Sequence, residues 1–75
     1  MRPEKLVRMA NQIGQFFATQ SKHRVAEDIA DHLRKFWEPR MREQLCAYLD
    51  AGGEGLAPGV RKAVEMLVTE RQVRT

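Results

Sequence analysis

At 75 residues the chain holds one domain at most, and a hydrophobic share of 43% with 31% charged residues belongs to a globular sequence, not a disordered one. The net charge of +3, from 13 basic and 10 acidic residues, is a mild excess; its bases interleave with Glu27, Asp28, Asp31, Glu38 and Glu43, which argues against the concentrated positive face of a duplex-binding protein. No apolar run approaches the ~18 residues of a bilayer span, and Cys46, the single cysteine, excludes a disulfide within the chain.

The first element is an amphipathic helix. Pro3 suits its first turn, where a missing N–H costs nothing. Leu6, Met9, Ala10, Ile13, Phe16 and Phe17 then recur at spacings of three and four, so the helix spans 3–19. Gly14 lies inside it at a cost of about 1 kcal/mol relative to alanine, and points to a close approach by another backbone. Ser21 is the expected N-cap of a second helix over 22–37, with Val25, Ala26, Ile29, Ala30, Leu33 and Phe36 as its stripe. Pro39 disfavours helical geometry at Glu38 and opens a third helix over 39–51. Met41, Leu45, Tyr48 and Leu49 form its face, and Gly52 is the expected left-handed cap. After the connector Glu54-Gly55-Leu56-Ala57, Pro58 starts a fourth helix over 58–70, followed by a polar tail, 71–75. The expected fold is all-α, a small bundle of four short helices in one domain, 1–75.

A chain this short leaves much of its surface exposed, and apolar burial barely offsets chain entropy. One Cys and two His (His23, His32) fall short of a structural zinc site. A partner, or self-association in isolation, is the expected source of further stability. Met1-Arg2-Pro3-Glu4-Lys5 is charged with no apolar stretch after it, so no secretory leader is expected. A lone cysteine then fits the reducing cytoplasm.

Three stretches carry a family resemblance. They are Ala10-Asn11-Gln12-Ile13-Gly14-Gln15-Phe16-Phe17, Ile29-Ala30-Asp31-His32-Leu33-Arg34-Lys35-Phe36-Trp37-Glu38-Pro39-Arg40-Met41-Arg42, and Leu49-Asp50-Ala51-Gly52-Gly53-Glu54-Gly55-Leu56-Ala57-Pro58. In this order they resemble the delta subunit of NAD-dependent, molybdenum-containing formate dehydrogenases. The second is the most specific, because Phe-Trp followed by an acid, proline, arginine and methionine is no general helix signal. Gly59 departs from the pattern, where a larger apolar residue is expected after the proline. The resemblance implies a small accessory subunit of a cytoplasmic enzyme that oxidises formate to carbon dioxide and reduces NAD. It also implies that other subunits carry a molybdenum bis-pterin cofactor, iron–sulfur clusters and FMN. The implied partner is the molybdenum-bearing catalytic subunit, either in the finished complex or during its maturation.

Chemistry-bearing patterns are sparse. An iron–sulfur cluster usually takes four cysteine ligands. Gly52-Gly53-Glu54-Gly55 follows a helix and lacks the spacing of a dinucleotide loop, and there is no P-loop. The chain is therefore expected to be non-catalytic, with no cofactor or metal of its own. Asp28 and His32, four apart on a helix, are either a metal-ligand pair or surface groups flanking the core. Cys46 is either a buried small hydrophobe or a sulfur-handling thiol. Phe16, Phe17, Phe36 and Trp37 either plug the ends of the core, or Phe17 or Trp37 joins Met41 and Arg40 in an exposed patch. As a patch, Phe17, Arg34, Phe36, Trp37, Arg40 and Met41 are the candidate partner-binding residues, since Trp and Arg are enriched at interface hot spots. The alternatives are a self-associating helical module, and a helix-turn-helix in which Arg40, Arg42 and Gln44 open a recognition helix.

Overall fold

A computed structural model describes residues 2–21 and 23–73. It contains four α-helices: α1 (Pro3–Gln20), α2 (Val25–Phe36), α3 (Pro39–Asp50) and α4 (Pro58–Val73). The fold class is all-α, as the apolar periodicity indicates. The Cα radius of gyration is 11.3 Å, against about 11 Å for a compact chain of this length.

Each boundary has a local cause. α1 starts on Pro3 behind an extended Arg2, whose carbonyl accepts from Lys5 N–H and Leu6 N–H, both at 3.1 Å. It ends where Ser21 turns extended, with its N–H donating to Phe17 O at 2.8 Å. Ser21 is thus the C-cap of α1, not the N-cap of α2. The second helix starts three residues later than expected, at Val25 behind Arg24. Lys22, its expected first residue, lies outside the described residues. The Ser21 hydroxyl instead donates to the Asp28 carboxylate, a side-chain tie across the α1–α2 turn. Glu27 and Asp28 in the first turn of α2, and Arg34 and Lys35 in the last, complement its dipole at both ends.

Trp37 and Glu38 are both extended, with ψ 141° and 147°. Pro39 imposes this on Glu38 and then serves as the first residue of α3. At the other end of α3, Gly52 has φ +129° and Gly53 φ +64°. Gly52, directly after the C-cap Ala51, is thus the positive-φ cap residue expected there, and Gly53 continues the turn with positive φ as well. Gly53 N–H donates to Tyr48 O at 3.0 Å, and Gly52 N–H to Leu49 O at 2.9 Å. Arg61 from α4 donates to the Gly52 carbonyl at 2.5 Å, closing the turn from outside. Helix α4 continues through Arg71 to Val73, residues expected in the tail; Arg74 and Thr75 lie outside the described residues.

The core joins all four helices: Leu6 and Ala10 from α1, Ile29, Ala30 and Leu33 from α2, Leu45 and Cys46 from α3, and Val60, Ala63, Val64 and Leu67 from α4. Leu56 plugs it from the α3–α4 loop, and Trp37 closes it at the α2–α3 turn. Helices α2 and α4 make the most extensive pairing. Gly14 is buried where α1 crosses α4, and what comes close to it is the Val60 side chain, not the backbone expected there. Asn11 fastens the α3–α4 loop to α1: its amide donates to Gly55 O at 2.9 Å and accepts from Ala57 N–H at 3.0 Å. Among the described residues no polar or charged side chain is buried, and no helix is long and apolar enough to cross a membrane.

Candidate functional site

An aromatic ridge runs across the seam between α1 and α2. Phe16 and Phe17 are neighbours on α1 and therefore point about 100° apart. Phe17 turns toward α2 and is half-buried, while Phe16 faces outward, 58% exposed. Their rings meet edge to face at 5.1 Å between centroids. Phe17 in turn contacts the imidazole of His32 at 5.8 Å. One turn further along α2, Phe36 lies 4.7 Å from the same imidazole and is 71% exposed. The two outer rings are mostly in solvent, so these contacts align the rings and add little to the stability of the fold. The outcome is a continuous aromatic strip whose two ends, Phe16 and Phe36, are in solvent.

The candidate residues divide on this geometry. Phe17 and Phe36 come together through His32. Trp37 does not join them: it is only 7% exposed and packs in the core, so for this residue the plug is what the fold contains and it leaves the patch. The reason is helical geometry. Helix α2 ends at Phe36, and the extended Trp37 swings inward while Phe36, assigned by periodicity to the apolar stripe, stays outside. Arg34 is engaged within the chain. Its guanidinium donates twice to the Glu70 carboxylate on α4, with Nε at 2.9 Å from Oε2 and Nη2 in close contact with Oε1. That hydrogen bond, with the charges of Glu70 and Asp31, holds Arg34 in its charged form against the opposing effect of burial. Arg40 is exposed in the first turn of α3, and Met41 is half-buried against the core. No hydrogen bond, ion pair or ring contact among the described residues joins these two to the ridge.

Two ridge members were not among the candidates. Phe16 was assigned to the core stripe, and only the adjacency of two aromatics hinted that one would be left outside. The helical spacing pairs His32 with Asp28, as ligands or as surface groups flanking the core. The structure ties Asp28 to Ser21 and sets His32 between two phenylalanines. Among the described residues no three His, Cys, Asp or Glu side chains gather as a metal site. Cys46 is a free, buried thiol. Burial pushes its pKa up, with the Arg71 charge partly opposing, which keeps the thiol protonated and a poor nucleophile.

The family model of the NADH-dependent formate dehydrogenase delta subunit FdsD matches residues 5–64, most of the chain. The matched stretch contains the whole ridge, the Trp37–Pro39 turn and the double-glycine loop. No curated protein and no solved structure matches the chain.

Proposed function

The chain belongs to the delta-subunit family of NADH-dependent formate dehydrogenases, and from that premise we propose that it is a non-catalytic accessory subunit that docks through its aromatic ridge. The partner in this reading is the large, molybdenum-bearing catalytic subunit, and docking stabilises that subunit during or after cofactor loading. The observation that carries the reading is the exposure of Phe16 and Phe36 at 58% and 71%, with their rings in contact with Phe17 and His32. A pre-ordered aromatic strip loses little side-chain entropy on binding, and aromatics anchor interface hot spots.

In this reading the molybdenum bis-pterin cofactor, the iron–sulfur clusters and FMN belong to other subunits. The residues of this chain do not suit them. A cluster takes about four thiolates, and Cys46 is single and buried. The assembly is cytoplasmic, where such a thiol stays reduced. In isolation the same exposed rings supply a face for self-association, so the free chain and the docked chain differ in what covers Phe16 and Phe36.

A tagged chain recovered from its native cell, with identification of co-purifying proteins and molybdenum analysis of the eluate, tests the proposal. Formate dehydrogenase subunits are the expected partners. Molybdenum in the eluate marks a subunit of the loaded enzyme, and the catalytic subunit without molybdenum marks a role before loading. Absence of both subunits and metal contradicts the reading.

A further inference from the structure

On the flank of α1 away from the ridge lies a groove of about 700 Å³, bounded by α1 and the starts of α2 and α4. Its lining is largely small and apolar: Gly14 and Ala18 from α1, Val25 and Ile29 from α2, Ala57 and Gly59 at the head of α4. Gly59 adds no side chain to it. A Cβ there would meet only Val25 Cγ1 at 3.5 Å and Ile29 Cδ1 at 3.7 Å, ordinary contact distances.

The rim is basic. Arg2, Lys5 and Arg8 are all exposed along the first turns of α1. Arg8 and Glu4 both line the groove, and Arg2 and Lys5 join them around a shallow depression that shares those two residues. None of the three bases forms an ion pair among the described residues. Cations at a helix N-terminus oppose the helix dipole, so this cluster lowers the stability of α1 itself, and acidic groups laid against it reverse that effect. Helix α4 also directs its N-terminal end at the groove, with no acid in its first turn.

We propose that this groove is a second docking site, for a partner polypeptide segment that places an aliphatic side chain between α1 and α4 and sets flanking Asp or Glu side chains against Arg8, Lys5 and Arg2. The site lies apart from the ridge and rests on the docking reading only in taking the segment to belong to a larger subunit of the assembly. Shape admits the apolar side chain, and charge selects the acidic neighbours.

Photo-crosslinking in the assembled complex tests it. A benzoylphenylalanine replaces Gln15, which lines the groove and is exposed, or in a parallel preparation Phe16 on the ridge; after irradiation the linked peptides are sequenced by mass spectrometry. The Gln15 position is expected to link to one segment of a larger subunit in which an aliphatic residue is flanked by acids. Gly59→Leu, which fills the groove, and the surface pair Lys5→Glu with Arg8→Glu should each lower that yield about tenfold without changing the yield from Phe16. Should Gly59→Leu prove poorly folded, the charge-reversal pair alone decides. No link from Gln15, a link to a second copy of this chain, a link to a segment without acids, or a yield indifferent to these changes overturns the proposal. Loss of linking from Phe16 alone indicts the ridge and leaves the groove standing.

Discussion

Gly14 on α1 and Val60 on α4 touch so closely that a Cβ on Gly14 would lie 2.5 Å from Val60 Cγ2. Val60 is fully buried, and its β-branched side chain has one strongly preferred rotamer in a helix. The clash therefore has nowhere to go. Gly14→Ala gains about 1 kcal/mol of helix propensity but overpacks the crossing at a cost of about 1–3 kcal/mol. The expected net result in urea denaturation is a less stable protein. Adding Val60→Ala to Gly14→Ala should then destabilise by less than Val60→Ala does alone, because the alanine at 14 occupies part of the space.

Phe36 and Trp37 are adjacent in sequence and opposite in fate. Trp37→Ala empties a core position and should cost about 3–5 kcal/mol, enough to unfold much of so small a domain. Phe36→Ala, at a position 71% exposed, should change the unfolding free energy by less than about 1 kcal/mol. Thermal melts of the two single variants check this. Equal costs would contradict the burial difference.

The Arg34–Glu70 pair joins α2 to α4, but its side chains are 34% and 49% exposed. Solvent screening limits such a pair to about 0.2–1 kcal/mol. Glu70→Gln should lower stability within that range at low salt, and the difference from the parent should shrink as salt is raised toward 1 M. The bond from Arg42 Nη1 to the Arg34 carbonyl, at 2.5 Å, survives that substitution and keeps α3 tied to α2.

Burial raises the pKa of the Cys46 thiol, so folding favours the protonated form. Its contribution is complete below the ordinary thiol value of about 8.5 and is lost as pH rises through the higher folded value. Unfolding curves of the parent and Cys46→Ala should therefore keep a constant separation from pH 7 to about 8.5 and change separation above it, with the parent losing more. Alkylation of the thiol should follow unfolding, not precede it. Rapid alkylation of the folded protein at pH 7 would contradict the buried, protonated thiol.

The four helices were legible in the apolar repeats because each stripe has enough members to outvote a misplaced one. Leu6, Ala10, Ile29, Leu33, Leu45, Val60 and Val64 all fall where the 3.6-residue period puts them. The ends were less legible. Ser21 carries the chemistry of an N-cap but sits where α1 stops, and only the three-dimensional turn shows its hydroxyl reaching Asp28. The site was half legible. Phe17 and Phe36 stand out in the sequence as aromatics at helix margins, but the turn at Trp37 decides which of Phe36 and Trp37 goes inside. Phe16 and His32 join them through contacts between helices, which a periodicity along one helix does not encode. Arg34 shows the same limit: its partner Glu70 is 36 residues away. The groove depends on Gly14 of α1 and Gly59 of α4 both lining one surface with Val25 and Ile29 of α2, and nothing in any of these local sequences announces that.

Docking through the ridge is tested most directly by the affinity of the purified chain for the purified catalytic subunit, measured by calorimetry for the parent and for Phe16→Ala with Phe36→Ala. Two anchor rings lost at about 2 kcal/mol each should weaken binding by roughly 100-fold or more, while the double variant keeps the helicity and melting behaviour of the parent. A folded double variant that binds as tightly as the parent would contradict the ridge as the docking surface.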